Sequence, residues 1–519
     1  MSPVRVFDRP KGAPMKAKRL GAGLAAIATT LTIAAGFAPA HATVPTEPVV
    51  VIAHVDAGIN PYANVFRDTS PLAQQYPGTY IPGYPSGPVG TTPAPERLDL
   101  TLDAPTWQDA FNADKPKWDA LLTAFKANPT KFGKRLFWIP GTKIVGAKVF
   151  GTGGVYCPAT PVAPAPFVAP QGTCVDYPIL DDFGHGTMTA TRMGGNQGSL
   201  CPTCRIVDVE GLGEAGVAWL ANQGWIDVQT NSWAYLTPAA YSAVGSPGTF
   251  TTIEAAAAKM PVYFATGNGT GGAAGYAPCP TEESATLVKG AIWVGAHDNG
   301  HVAAWSCAPA QIVADGYGGL SASNHSIEAF GPNPFACCTS AASPYAAGEG
   351  AAIIREARAI LGDTSTGWHS GIGAQGTPPA GLTAGPLADG KLTLDELISL
   401  VKNTAEARPG EGKDDGMINW SGDPRAPDPM TEVAPYGPGA NPYCQGCNTL
   451  PIKWSDVPAD FPAYASIGYG GINERSLALA IDVLNGAATE PSRADVDAFF
   501  ASEAAVRDVT QHPEHYLPV

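Results

Sequence analysis

An aspartate and a histidine stand in local sequences suited to acid–base chemistry. Asp56 ends an apolar, largely β-branched run, 49–55, that is typical of a parallel strand buried on both faces. His185 lies between Gly184 and Gly186, so little bulk surrounds its imidazole at the start of a predicted helix. An imidazole titrates near neutral pH and can act as a general base, while a nearby carboxylate stabilises the imidazolium that forms.

A serine further along the chain could supply a nucleophile. Ser340 precedes a run of small residues, 341–354, that fits a tightly buried helix, with Pro344 tolerated only in its first turn. At a helix N-terminus, unpaired N–H groups and the positive end of the dipole can stabilise an oxyanion. A serine hydroxyl becomes nucleophilic when a base removes its proton. The three residues together could therefore attack a carbonyl group.

Each residue also has an ordinary structural explanation. Aspartate commonly starts turns, and serine is a common N-cap. His54, two residues before Asp56 on the same face, could join it as a metal ligand, but packing is favoured. Asp389 begins a match to the second half of a calcium-binding loop, but Gly385 and Leu387 occupy the earlier ligand positions, so a helix start is favoured.

The predicted secondary structure alternates strands with helices. Such alternation gives a parallel sheet wrapped by helices, with right-handed crossovers. Ligand-handling groups of such a sheet collect at the carboxyl ends of its strands, where Asp56 lies. The predicted strands are 49–55, 143–150, 206–209, 225–230, 262–265 and 291–294, and the helix-like stretches include 187–193, 252–259, 392–403 and 474–484.

A long segment after the first strand interrupts this alternation. Residues 61–100 are rich in Pro, Gly and Tyr, and 107–134 predicts one or two amphipathic helices, most clearly over 114–127. We interpret about 61–140 as an insertion that could act as a lid or docking surface. Further irregular connections are predicted at 157–180, 363–390 and 406–465.

The order Asp, His, Ser, with these local sequences, resembles the subtilisin-like serine peptidases, or subtilases. Segment 50–59 is similar to the family's aspartate motif. Segment 184–187, Gly-His-Gly-Thr, matches its histidine motif, and segment 339–344, Thr-Ser-Ala-Ala-Ser-Pro, fits its serine motif.

Three further segments extend the resemblance. Segment 262–268 is similar to the strand whose terminal asparagine, here Asn268, supplies an oxyanion-hole amide. Segment 465–473 resembles the stretch that closes the catalytic domain, so the likeness spans 49 to about 485. Segment 231–234 resembles the strand beside the substrate's main chain, and the substrate-binding residues that this implies are Ser232, Trp233 and Ala234.

The resemblance implies a three-layer α/β fold, with a mostly parallel sheet flanked by helices, and a secreted serine endopeptidase. Ser340 Oγ would attack the peptide carbonyl after giving its proton to His185, whose tautomer Asp56 would fix. The Asn268 amide and the Ser340 backbone N–H would hold the oxyanion of the acyl-transfer intermediate. Protein or peptide substrates are expected, and no cofactor and no metal ligand is predicted.

Several features depart from the family pattern. Cys338 stands where glycine usually precedes the Thr-Ser pair, so a differently built turn is expected, with Cys337 able to tie it by a disulfide. Ala57 replaces a hydroxyl residue, and Ala234 replaces a glycine that leaves room for substrate. Only 43–48 precede the first strand after the predicted cleavage, which leaves no room for the usual propeptide.

These departures support a second hypothesis, a catalytically silent subtilase-like scaffold that binds ligands or a cell wall. The peptidase is preferred because the chain keeps all three catalytic residue types. Another hydrolase fold is disfavoured, because the Gly-x-Ser-x-Gly elbow is absent and that fold places Ser before His.

The N-terminus predicts export. Six basic side chains precede an uncharged stretch, 20–37, and alanines at 38, 40 and 42 form overlapping Ala-x-Ala cleavage sites. We interpret 1–42 as a secretory signal peptide, 43–490 as the catalytic domain and 491–519 as a C-terminal tail. A secreted, extracellular protein without membrane attachment after cleavage is expected, with a retained anchor as the alternative.

Composition excludes several other classes. The 519 residues are 45% hydrophobic and 15% charged, which describes a core-forming chain. The 60 glycines and 50 prolines show no three-residue period, which excludes collagen. A net charge of −15 repels phosphate backbones, so no nucleic-acid partner is expected. The sequence does not address the oligomeric state.

Ten cysteines in an exported chain should mostly form disulfides. Cys201 and Cys204 are predicted to pair locally, as are Cys444 and Cys447. Zinc is the alternative, but about 240 residues separate the two pairs, far outside zinc-ribbon spacing. The remaining six cysteines cannot be paired from the sequence.

Overall fold

Short strands alternate with helices along the described part of the chain. The computed structural model describes residues 47–86, 93–150, 177–181, 184–211, 213–233, 248–267, 290–298, 301–302, 306, 310–316, 320–328, 331–332, 338–368, 371–373, 377–406 and 468–502. The strands are β1 Val51–Asp56, β2 Glu96–Arg97, β3 Phe137–Trp138, β4 Ile144–Val149, β5 Arg205–Glu210, β6 Val228–Asn231, β7 Val262–Ala265, β8 Ile292–Asp298, β9 His301–Val302, β10 Ile312–Asp315, β11 Leu320–Ser321, β12 Gly331–Pro332 and β13 Gly471–Ile472. The helices are α1 Trp107–Ala127, α2 Pro129–Phe132, α3 His185–Gly194, α4 Glu214–Ala221, α5 Gly248–Ala257, α6 Thr339–Leu361, α7 Leu394–Thr404, α8 Glu474–Leu484 and α9 Ala494–Ala501.

The main sheet is mostly parallel, and β1 lies near its centre. Its strand order is β13-β10-β8-β7-β6-β1-β5-β4-β3-β2, with β9 paired to β8. Only the β3–β4 and β8–β9 pairs are antiparallel among the described strands of this sheet. The predicted mostly parallel α/β sheet, with a long insertion after its first strand, is therefore confirmed.

The side chains of β1 alternate between two hydrophobic cores. Val51, Ala53 and Val55 belong to the core that includes α4 and α5, whereas Ile52 belongs to the core that includes α3 and α6. All six β1 residues are buried, as expected for a strand covered by helices on both faces. The sheet therefore forms the middle of three layers.

Helix α6 crosses the sheet at close range because its residues are small. It packs against β6, β7, β8, β10 and α3. A Cβ atom built on Gly350 would lie 2.3 Å from the Tyr263 hydroxyl, so only glycine fits there without displacing the ring. The predicted tightly buried helix is confirmed, but Pro344 lies in its second turn rather than its first.

Buried polar contacts hold the parts of the insertion together. Its main helix, α1, continues through Pro116. The buried Asp114 carboxylate accepts hydrogen bonds from the Thr101 N–H at 2.6 Å and the Tyr62 hydroxyl at 3.1 Å. The Trp118 indole donates to Tyr62 at 2.8 Å, so α1 is fixed to the segment that directly follows β1.

Other expectations concern the cysteines and the termini. Cys201 and Cys204 form a disulfide, as predicted, while Cys444, Cys447 and the predicted signal peptide lie outside the described residues. Helix α9 falls within the predicted tail, and Phe500 stacks on Tyr469 with ring centroids 5.8 Å apart. Among the described helices, none is both long and apolar enough to span a membrane.

Candidate active site

Asp56 lies at the carboxyl end of β1, and its side chain is completely buried. Its Oδ1 atom accepts a hydrogen bond from the backbone N–H of Ala57 at 2.8 Å. The same oxygen lies 2.7 Å from Nδ1 of His185. In that contact a protonated Nδ1 donates, which leaves Nε2 of the neutral ring as the basic nitrogen.

His185 is the first residue of α3, and its side chain is 18% exposed. Gly184 caps the helix with φ +98°, a backbone angle that favours glycine. A Cβ atom on Gly186 would lie 2.0 Å from the Gly58 carbonyl oxygen, so this glycine allows α3 to contact the loop after β1. Gly184 thus allows the backbone conformation that starts α3, and Gly186 allows α3 to lie close to the loop after β1. Together they place the imidazole ring beside Asp56.

A second carboxylate holds the start of α3. Asp181 accepts hydrogen bonds from the backbone N–H groups of Gly184 at 2.6 Å and Thr187 at 2.7 Å. These are orphan donors of the first helical turn, and a carboxylate there also complements the helix dipole. Burial raises the pKa of Asp181 to about 6, although these hydrogen bonds oppose the rise.

The Asp56–His185 pair has pKa shifts that favour opposite charges. Burial alone would raise the pKa of Asp56, but the charge and hydrogen bond of His185, the charge of His54 and the Ala57 N–H together outweigh it and lower this pKa. Burial would lower the pKa of His185, but the charge and hydrogen bond of Asp56, together with the charge of Asp181, outweigh it and raise this pKa. The ring is therefore a stronger base than an isolated histidine.

Ser340 is the second residue of α6 and follows an unusual turn. Cys338, the N-cap, has φ +83° and ψ −175°, a region essentially reserved for glycine. The position therefore has a glycine-type backbone although it carries a cysteine. Cys338 is disulfide-bonded, and Cys337 lies outside the described residues.

The Ser340 hydroxyl donates to the carbonyl oxygen of Ser232 at 3.1 Å, and the Ser232 hydroxyl donates to the carbonyl oxygen of Ser340 at 2.9 Å. Pro344 explains why this second acceptor is open. The Ser340 carbonyl would ordinarily bond to the N–H four residues later, but proline has none. The second-turn proline thus leaves a backbone acceptor that Ser232 occupies.

The structure brings these residues to one edge of the sheet. Val55 pairs with Asn231, so the residues that follow, Asp56 and Ser232, lie at adjacent strand ends. Met188, one turn after His185, packs against Ala341, the residue after Ser340. Within the described part of the chain, the Ser340 hydroxyl bonds to Ser232 and not to His185.

The remaining predicted site residues divide into two groups. Asn268 and Ala234 lie outside the described residues. Trp233 is buried, and its ring packs against Phe264 with centroids 5.1 Å apart. Its side chain therefore belongs to the core, which leaves its main chain as the part that could bind a substrate.

Sequence reasoning missed Thr189. Its hydroxyl lies 3.2 Å from Oδ2 of Asp56. The signal was present, since Thr189 stands four residues after His185 and thus on the same face of a helix. His54 was expected to pack, and it does so as a buried partner of Asp208, with Nε2 2.9 Å from Oδ1.

Comparisons with known proteins find similarity among solved structures. No protein-family model matches the sequence, and no curated protein matches it either. Among solved structures, similarity is found to an epidermin leader peptide processing serine protease from Staphylococcus aureus, with 12% identity over 85% of this chain and 77% of that chain and a TM-score of 0.36. A lanthipeptide protease matches with 17% identity over 46% of this chain and 74% of that chain, with a TM-score of 0.32. A structure of proteases from Pseudoalteromonas arctica matches with 19% identity over 44% of this chain and 64% of that chain, with a TM-score of 0.28.

Proposed function

We propose that this chain is a secreted serine endopeptidase of the subtilisin-like family, which cleaves peptide bonds through Asp56, His185 and Ser340. The observation that carries the proposal is the 2.7 Å contact between His185 Nδ1 and the buried Asp56 carboxylate, at the sheet edge that also holds Ser340. A carboxylate in this place fixes the imidazole tautomer and stabilises the imidazolium that forms during catalysis.

Catalysis would begin with a rotation of the Ser340 side chain. Its hydroxyl must turn from the Ser232 carbonyl towards Nε2 of His185, because proton transfer needs a direct hydrogen bond. Ser340 Oγ then attacks the substrate carbonyl carbon and forms an ester, while His185 delivers the proton to the leaving amine. Water hydrolyses the ester with the same base and restores the serine.

The position of Ser340 supports the stabilisation of an oxyanion. The Ser340 N–H lies in the first turn of α6, where backbone donors lack an acceptor in the preceding turn and where the positive end of the helix dipole lies. We assign the Ser340 N–H, together with the Asn268 side-chain amide, to the developing negative charge. The main chain at 232–234 would pair with an extended peptide substrate.

A fluorophosphonate probe tests the proposal, because it reacts covalently with activated serines. We expect the secreted chain to be labelled and to hydrolyse casein, and Ser340→Ala to lose both properties. Ser343→Ala is the matched control, since Ser343 lies one turn further along α6 and bonds to Thr230 at 3.0 Å. Labelling that persists in Ser340→Ala would disprove the assigned nucleophile.

The second candidate is a catalytically silent scaffold. It is favoured by one observation, the hydrogen bonds of the Ser340 hydroxyl and carbonyl with Ser232. A folded chain that neither reacts with the probe nor hydrolyses casein would support the scaffold and exclude the peptidase.

A further inference from the structure

A second histidine–aspartate pair lies behind the Asp56 carboxylate. His54 on β1 and Asp208 on β5 stand directly opposite each other in the sheet. His54 Nε2 lies 2.9 Å from Asp208 Oδ1, at ion-pair distance but without the alignment of a hydrogen bond. The side chains are 1% and 0% exposed, so solvent does not screen the pair.

Thr189 joins this pair to Asp56. Its hydroxyl oxygen lies 2.8 Å from His54 Nδ1 and 3.2 Å from Asp56 Oδ2. The other Asp56 oxygen is already occupied by His185 and the Ala57 N–H. Thr189 therefore contacts the second carboxylate oxygen, so that both oxygens of Asp56 have a partner.

We infer that His54, Asp208 and Thr189 form a positioning unit, in which Thr189 anchors Oδ2 of Asp56 so that Oδ1 stays directed at His185. The kinetic consequence of this inference rests on the proposed peptidase function. The structural consequence, the orientation of Asp56 towards His185, does not.

The proton count explains why a histidine is needed in this unit. Thr189 has a single hydroxyl proton, so it can donate to Asp56 only if His54 Nδ1 carries its own proton and donates to the Thr189 oxygen. A charged His54 beside an ionised Asp208 meets this condition. A neutral His54 whose Nε2 proton has passed to Asp208 meets it too, since Nδ1 then keeps its hydrogen.

The anchoring thus survives proton exchange within the His54–Asp208 pair. The charged and titratable groups around it are Asp208 on β5, Asp56 on β1, and His185 and Asp181 at the start of α3. Burial raises the pKa of Asp208 and the charge of Asp56 raises it further, while His54 opposes both. Loss of one proton from the pair would turn the Thr189 hydroxyl towards His54 and release Asp56.

Helix geometry offers a competing acceptor. The Thr189 hydroxyl also lies 2.9 Å from the Gly186 carbonyl oxygen, a common intrahelical contact for threonine. If the proton points there, Thr189 plays a local role and does not anchor Asp56. The two roles predict different properties for His185.

Thr189→Val separates the two roles, because it removes the hydroxyl at nearly constant volume. We expect kcat to fall about tenfold with KM unchanged, which corresponds to about 1.4 kcal/mol. We also expect the His185 Nδ1 proton resonance to move upfield and the pKa of His185 to fall, measured by NMR of histidine-labelled protein. Thr189→Ser, which keeps the hydroxyl, should retain the kcat, the His185 Nδ1 resonance and the His185 pKa of the unaltered chain.

Thr191→Val is the matched control. Thr191 is also buried in α3, and its hydroxyl bonds to Thr187 O at 2.8 Å. This variant should leave kcat and His185 unchanged. Unaltered His185 NMR properties in Thr189→Val, or equal changes in both variants, would overturn the inference.

Two His54 variants test the donor itself. The side-chain amide of Asn can replace Nδ1 as a donor to Thr189, whereas Leu cannot, and both leave Asp208 without its partner. We expect the His185 resonance of His54→Asn to stay close to that of the unaltered chain and that of His54→Leu to match Thr189→Val. Identical spectra for the two variants would contradict the role of His54.

If the chain proves inactive towards every probe, these NMR measurements still decide the inference, while the peptidase proposal fails separately.

Discussion

At the scale of single residues, the candidate base is defined by a balance between burial and charge. Burial disfavours the charged form of both His185 and Asp56, yet each gains a partner of opposite charge. Because the contact is short and screened from water, the partner outweighs desolvation. A histidine in this setting holds its proton to a higher pH than a free one.

This balance predicts the pH profile of the proposed reaction. The base must be neutral, so a raised pKa moves the acid limb of kcat/KM above the ordinary histidine value of 6.5. Asp56→Asn should shift that limb to lower pH and reduce kcat by several powers of ten, because the tautomer is no longer fixed. Peptide hydrolysis from pH 5 to 10 measures both effects. Asp389→Asn, an exposed carboxylate before α7, should change neither, and an unshifted limb in Asp56→Asn would argue against the pairing.

At the scale of elements, helix α6 combines two features that local propensity disfavours. Cys338 adopts a glycine-type backbone at the N-cap, and Pro344 interrupts the hydrogen bonds of the second turn. Both lie within one turn or so of Ser340. Strain of this kind persists where the surrounding structure enforces it, and it commonly marks functional sites.

The strain at Cys338 can be measured by comparing two substitutions. Cys338→Gly and Cys338→Ala both remove the disulfide, but only glycine also removes the Cβ atom that makes φ +83° unfavourable. We expect Cys338→Gly to be more stable by about 1 kcal/mol, because relief of 1–3 kcal/mol of strain exceeds the greater entropy of unfolded glycine. Urea denaturation monitored by tryptophan fluorescence gives the difference. Equal stabilities would mean that the turn relaxes in the alanine variant.

At the scale of the whole molecule, a buried ion pair joins distant parts of the chain. Arg358, near the end of α6, lies 2.5 Å from Asp227, just before β6, and both side chains are 0% exposed. Asp227 also accepts from the backbone N–H of Val51 at 2.7 Å and of Gly367 at 2.6 Å. The pair thus connects the beginning of the central strands to the helix whose opposite end carries Ser340.

Loss of one partner from this pair should be costly, because the other charge stays buried. We expect Arg358→Leu to lower the free energy of unfolding by about 3–5 kcal/mol. Arg355→Leu is the control, since Arg355 lies about one turn earlier in α6 and contacts Thr203 at the surface, so its loss should cost about 0.5 kcal/mol or less. Urea midpoints compare the two. Similar midpoints would show that the buried pair contributes no more than a surface contact.

The succession of strands and helices along the chain, the apolar run before Asp56 and the small residues of α6 are local patterns, so the sequence by itself determined them. Strand β7 and helix α8 begin and end where the periodicity predicts. Tertiary structure alone decided which remote groups meet. His54 faces Asp208 because of the β1–β5 register, and the Ser340 carbonyl meets Ser232 because Pro344 falls in the second turn. Hydrophobic periodicity reports which face of an element is buried, but the register of the strands and their order within the sheet depend on the packing of the whole chain, which no short segment encodes.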